Sequence, residues 1–154
     1  MSVFQISLQR GSIHRLIPNF IFKRGLTDEQ RSQEIGAHLC TSMKDALALL
    51  SSSPYTSTLH RCFVIGGASL YSDALNYSLP ASADSILLTR VLSPAFECDV
   101  FMPEFHEMRD LKGRLAWERA THEELEKWVG FIVPSGIQEE KGVQYEFQLW
   151  TRKR

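Results

Sequence analysis

The chain has 154 residues, 44% of them hydrophobic and 23% charged, with a formal net charge of -1. That balance fits one globular domain with a real core, and it supplies no basic excess for nucleic acid or an anionic membrane surface. The three cysteines, Cys40, Cys62 and Cys98, show neither metal spacing nor a disulfide framework and point to a reducing compartment, and no apolar run reaches membrane-spanning length.

From Met1 to Thr27 there is no acidic residue, whereas Arg10, Arg15, Lys23 and Arg24 are basic. That is the composition of a mitochondrial transit peptide. An ordinary strand-bearing segment is the preferred reading, with the protein cytoplasmic. Val3, Phe4, Ile6 and Leu8 partly alternate and predict a strand, and Asn19 to Arg24 predicts a second, short one. Residues 27–34 are polar and read as a loop. Ala37 to Cys40 reads as another short strand. Ser42 with Asp45 three residues on resembles a capping box for a helix whose apolar face is Ala46, Leu47, Leu49 and Leu50. Pro54 stops that helix.

Phe63, Val64 and Ile65 then form an apolar run that ends on Gly66 and Gly67, and a helix is predicted from Ser69 to Asn76. A strand, a glycine turn and a helix in that order let a ligand approach the backbone closely. They also aim the positive end of a helix dipole at it, which suits a pyrophosphate. Taken alone, two glycines after a strand are more often only a turn. Ser85 to Leu92 is a strong strand, apolar except at Thr89 and Arg90. A hydroxyl inside such a run needs a partner. Cys98 to Pro103 reads as extended and the residues after it as a polar stretch. Thr121 and Glu124 form a capping box for a helix ending near Gly130. Phe131 to Val133 starts a strand, and Gln138 to Gly142 is a polar turn. Val143, Tyr145, Phe147 and Leu149 alternate with polar residues, as a half-buried antiparallel strand does.

Four segments in order then carry a resemblance. They are Phe-Val-Ile-Gly-Gly-Ala-Ser-Leu-Tyr at 63–71, Leu-Leu-Thr-Arg-Val at 87–91, Cys-Asp-Val-Phe-Met-Pro at 98–103, and the run from Lys127 to Phe147 containing Val-Pro-Ser-Gly-Ile-Gln-Glu-Glu-Lys-Gly. Together they resemble dihydrofolate reductase, especially of fungal type, over residues 36–152. The resemblance implies a single α/β domain with a central, mostly parallel sheet, an antiparallel C-terminal strand and flanking helices. It divides the chain into a divergent segment, 1–35, and a reductase-like portion, 36–154. It implies NADPH-dependent reduction of 7,8-dihydrofolate to tetrahydrofolate, with NADPH as cofactor, dihydrofolate or another pterin as substrate, no metal, and a monomer.

By resemblance Gly66, Gly67, Ala68, Ser69 and Leu70 contact NADPH, with a cis peptide between the glycines. Ile65 lines the pterin pocket, Tyr71 sits beside nicotinamide and substrate, and Thr89 bonds the catalytic carboxylate. Lys23 and Arg24 are candidates for the cofactor's 2′-phosphate, a guanidinium matching phosphate well. The family's first strand lies in the centre of its sheet, followed by a mobile loop and a helix carrying the catalytic acid. None of these is found in residues 1–35, so the catalytic acid is not identified. Losing it costs about 10²–10⁴-fold in proton transfer, and the chain is expected to be a truncated, weakly active or inactive form. The alternative is a non-catalytic reductase-like module, favoured if residues 1–35 supply a replacement strand. A pyrimidine reductase of riboflavin synthesis fits the C-terminal run less well.

Overall fold

The computed structural model describes residues 3–9, 19–21, 37–53, 61–77 and 83–153. Two compact units emerge, one formed by Met1–Leu8 with Phe63–Arg154 and the other by Gln9–Cys62.

The second unit holds strands β2 (Asn19–Ile21) and β3 (Ala37–Leu39), which pair in parallel, and helix α1 (Met43–Leu50). The expected cap is present. The Ser42 hydroxyl accepts from the Asp45 amide at 3.1 Å and donates to the Asp45 carboxylate at 2.7 Å. Thr41 donates to the same carboxylate, and these side-chain bonds, Thr41 first, hold the Asp45 carboxyl below its ordinary range. Helix α1 closes on Ser51.

The first unit is built on one sheet. Its strands are β1 (Val3–Gln9), β4 (Arg61–Val64), β5 (Ser85–Ser93), β6 (Trp117–Arg119), β7 (Gln138–Glu140) and β8 (Val143–Arg152). They lie in the order β4-β1-β5-β8-β6, with β7 on β8. The α/β class is as expected, but the mostly parallel sheet is not. Strands β1 and β5, β5 and β8, β6 and β8, and β7 and β8 all pair antiparallel. A continuous apolar run such as β5 suggests a parallel strand because both its faces are buried. Here an antiparallel strand is covered on both faces and gives the same pattern. Strands β4 and β5 are also not neighbours, because β1 stands between them.

Nor are they buried along their whole length. Strand β4 is only half-buried until Val64, and β5 reaches the surface from Arg90. The register explains the second point. Strand β1 accompanies β5 from Ser85 only as far as Thr89, opposite Val3. Beyond that β5 has β8 alone, and the ladder is irregular between Val91 and Ser93.

Helix α2 (Ala68–Asn76) buries Tyr71, Ala74 and Leu75, the face its spacing predicts. Helix α3 (His122–Val129) has the complete capping box, Thr121 and Glu124 each accepting from the other's amide, at 3.2 and 2.7 Å. Gly130, at φ 84°, closes it, a left-handed conformation in which a Cβ would be strained. The sheet's two faces follow the alternation of β8. On one, Phe147 and Leu149 pack with Leu87, Leu125, Val129 and Val133. On the other, Trp150 meets Phe105 edge-on at 5.4 Å, and Phe105 in turn meets Trp117 at 5.9 Å. Phe131 to Val133 is not a strand, and the expected turn at Gln138 is shorter. Gln138 to Glu140 is strand β7, and only Lys141 and Gly142, both at positive φ, make the hairpin turn.

Candidate functional site

Strand β4 delivers the chain to Ile65, Gly66 and Gly67. The Gly66–Gly67 peptide is cis, as the resemblance implies. Gly66 has φ 139°, a conformation essentially reserved for glycine. Gly67 is extended and stands at the N-cap of α2, where its carbonyl accepts from the Tyr71 amide at 3.0 Å. Glycine offers no side chain to the first turn. Helices α1 and α3 have their first turns capped by Ser42 and Thr121, so among the described residues α2 is the helix whose N-terminus no side chain caps. Its amide donors and dipole are the natural complement of an anion.

A Cβ built on Gly67 meets no atom within 4 Å, so the turn faces open space. Ala68 and Leu70 are half-buried and Ser69 is exposed at the same helix start. Tyr71 is buried, its hydroxyl 3.8 Å from where a Gly66 Cβ would be, and burial pushes its phenol up from the usual value. Ile65 is 75% exposed. A large apolar side chain at the end of a strand, beside the glycine turn, is surface available to a ligand.

Thr89 lies on β5, with Val3 and Phe147 as its two cross-strand partners. It lines a cavity of about 250 Å³ walled by Leu87, Leu125, Val129, Phe131, Val133 and Phe147. The other polar side chain at this cavity is Gln148, which is occupied, donating to Glu146 and accepting from Trp150 Nε1. Thr89 is half-buried, and its hydroxyl has no hydrogen-bond partner among the described residues. It is thus a polar anchor in an apolar cavity with its bonding capacity unused. No Asp or Glu is among the described residues lining that cavity. The walls Val129, Phe131 and Val133 escape sequence reasoning, since 131–133 reads as a strand and instead passes over the cavity as irregular chain.

Ile65 to Tyr71 follow β4 and Thr89 lies on β5, and β1 stands between the two strands. Lys23 and Arg24, the candidates for the 2′-phosphate, lie outside the described residues, as do the acidic residues Asp28 and Glu29. A second, polar cleft of about 180 Å³ runs between Thr121, His122, Ser135, Arg119 and Glu146, where Arg119 and Glu146 pair at 2.8 Å. Among the described residues no group of side chains could hold a metal ion.

These features coincide with a known family. Residues 19–127 match the family model described as Dihydrofolate reductase. The chain is 38% identical to dihydrofolate reductase of Pneumocystis carinii over 120 residues, which covers 76% of this chain and 55% of that protein. It is 36% identical to the enzyme of Cryptococcus neoformans over 127 residues, 72% of this chain and 55% of that one. To the viral dihydrofolate reductase of Saimiriine herpesvirus 2 it is 37% identical over 118 residues, 76% and 47% respectively. The chain thus spans about half the length of the curated relatives it matches. With a family match across most of its length, ordered motifs and an uncapped helix after a glycine turn, the chain belongs to the dihydrofolate reductase family.

Proposed function

We propose that the chain serves the NADPH-dependent reduction of 7,8-dihydrofolate to 5,6,7,8-tetrahydrofolate, as a weakly active or inactive form of the enzyme. The observation that carries the reading is the start of α2. It is uncapped, is preceded by Gly66 and Gly67, and faces open space, a fit for the pyrophosphate of a dinucleotide. NADPH, when bound, supplies the hydride. The chain's own residues bind and orient. Gly66 and Gly67 let the cofactor come to the backbone, and the amides of Ala68, Ser69 and Leu70 face its phosphates. Tyr71 and Ile65 border the nicotinamide, and the Thr89 hydroxyl takes a polar edge of the pterin inside apolar walls. Lys23 and Arg24 would meet the 2′-phosphate. The step the chain serves poorly is delivery of a proton, because no carboxylate among the described residues lines the Thr89 cavity. We assign the binding portion to residues 36–154 and treat 1–35 as a divergent segment. The working unit is a cytoplasmic monomer without nucleic-acid or membrane partners; among the described residues no helix is long and apolar enough to cross a membrane.

A second reading is supported by one observation. Strand β1, from the divergent segment, occupies the middle of the sheet, which favours a reductase-like binding module that does not turn over. Calorimetric titration with NADPH and the NADPH-oxidation rate with dihydrofolate separate the two. The first reading expects NADPH binding that Gly67→Ala removes and a low, methotrexate-sensitive rate. The second expects binding with no turnover. Equal NADPH affinity for Gly67→Ala and the unmodified chain would refute the cofactor role of the turn.

A further inference from the structure

We propose that the outer edge of β8 carries a binding site for one extended amino-acid residue, acylated at its nitrogen and amidated at its carbonyl. In an antiparallel ladder the N–H and C=O of successive residues point alternately to the two neighbouring strands. The Arg152 amide donates to the Asp84 carbonyl at 2.8 Å, so the even-numbered residues of β8 face β5. The Leu149 carbonyl accepts from the Ala120 amide at 2.9 Å, and the Lys153 amide donates to the Ala116 carbonyl at 2.8 Å, so the odd-numbered residues face the opposite edge. On that edge β6 pairs with Trp150 to Arg152, and β7 pairs with Val143 to Tyr145. Phe147 falls between the two.

Neither flanking strand reaches it. Continued past Ala120 opposite Leu149, the β6 register would set His122 opposite Phe147, but His122 is the first residue of α3. Continued past Gln138 opposite Tyr145, the β7 register would set Gly136 there, but at φ 71° Gly136 has turned the chain aside. Among the described residues no loop, cap or side chain hydrogen-bonds the Phe147 amide or carbonyl. The gap is the polar cleft of about 180 Å³, bordered by Thr121, His122, Ser135, Gly136 and the half-buried Phe147. A sheltered backbone donor and acceptor left open side by side are costly, and a partner with an acceptor and a donor at the same spacing removes that cost. The N–H and C=O of one extended residue have that spacing, since they are what fills this place in any antiparallel ladder. The occupant is a single residue and not a strand, because the chain at His122 and at Gly136 closes the two ends of the gap. The cleft is also smaller than the roughly 300–1,000 Å³ of drug-sized sites.

The test uses the full chain, labelled with ¹⁵N, and N-acetylglycinamide as the probe. Hydrogen exchange is measured first without the probe. The Phe147 amide should exchange faster than those of Glu146 and Gln148, which face β5. Titration with N-acetylglycinamide should then shift the Phe147 amide resonance saturably. N-acetylsarcosinamide, whose N-methyl group removes the donor, should bind at least about tenfold more weakly. Triglycine capped in the same way should bind no more tightly than the single residue. A Phe147 amide as protected as its two neighbours overturns the proposal, since the edge would be paired. An open amide with no saturable shift leaves the gap to water and overturns it too. Equal binding of the N-methylated probe refutes the backbone pairing, and tighter binding of capped triglycine refutes the single-residue slot.

Discussion

Replacing Arg152 by methionine should unfold the chain far more easily than its place near the C-terminus suggests. Its Nε donates to the carbonyl of Ala83 and a terminal nitrogen donates to the carbonyl of Leu75, each at 2.8 Å. Its guanidinium lies 4.7 Å over the ring of Trp117. Leu75 is in the last turn of α2, so Arg152 supplies a cation and a donor to a carbonyl that the helix end leaves open. Burial draws the guanidinium pKa down, against the raising effect of the Asp84 charge. Methionine keeps the stem and its packing but strands both carbonyls. Hydrogen bonds from a charged donor contribute about 1.5–3 kcal/mol each, and the ring contact adds roughly 0.5–1. Discounting for the half-exposed side chain, we expect a loss of about 3 kcal/mol, or a Tm lower by roughly 6–12 °C for a chain of this size. Urea unfolding followed by tryptophan fluorescence measures it as a lower midpoint at unchanged slope. Arg152→Lys should recover only part, because one ammonium cannot reproduce the fork. A loss for Arg152→Met below about 1 kcal/mol, or full recovery by lysine, would refute the clamp. The result also bears on the site, since the helix Arg152 holds at one end presents Gly67 at the other.

Three further substitutions probe other parts of the first unit. Thr121→Ala removes one half of the capping box and should cost about 1 kcal/mol in the same unfolding measurement, with Thr121→Ser nearly neutral. Phe105→Ala empties a fully buried position between Trp117 and Trp150 and should cost about 3–5 kcal/mol, with loss of near-ultraviolet circular dichroism. Glu146 gives a pH signature. Burial pushes its carboxyl up, but hydrogen bonds from Arg119 and Gln148 and the charges of Arg119 and Arg90 outweigh this, so its pKa lies below the ordinary value. A depressed carboxylate contributes stability that is complete above the unfolded value of about 4.3 and is lost as pH falls through the folded one. Stability against pH below about 4.3 should therefore fall more shallowly in Glu146→Gln than in the unmodified chain, and parallel curves would show that the pair contributes nothing.

What is legible in the sequence divides along physical lines. Ser42 and Thr121 announce α1 and α3 because a cap is a local, two-residue signal. Residues 143–149 announce β8 because sustained alternation of apolar and polar side chains is what a half-buried strand requires and a helix cannot use. Strand β6 leaves no such mark, since Trp117 to Arg119 is too short to carry a period. Strand β7 looks like turn because Gln138, Glu139 and Glu140 are polar, and their pairing comes from the hairpin at Lys141 and Gly142. Strand direction leaves only an indirect trace, since a continuous apolar run marks burial on both faces and not direction, and the observed register overturns the mostly parallel sheet that the resemblance implies. In the site, Gly66, Gly67 and Thr89 stand out because each breaks a local rule, a glycine pair after a buried strand and a hydroxyl in an apolar run. The cavity walls Leu125, Val129 and Val133 are ordinary apolar residues, and nothing local separates them from the rest of the core.

Strand β1 sets the spacing between the glycine turn and Thr89. It fills the middle of the sheet and runs antiparallel to β5, so the sheet is completed with ladders on both inner edges. Adjacent strands are about 4.8 Å apart, which puts β4 and β5 roughly twice that distance from each other across β1. The glycine turn at the end of β4 and the hydroxyl of Thr89 on β5 are thus held apart by the width of one strand. On the proposed reading, binding of a dinucleotide depends on the turn and on α2, both of which are formed. On the proposed reading, reduction of a pterin depends further on a proton donor beside Thr89, and none of the described residues lining its cavity supplies one. A replacement strand restores a sheet through backbone pairing alone, whatever its side chains. It does not restore a carboxylate, which has to come from a particular side chain at a particular place. Cofactor binding should therefore outlast turnover in this chain.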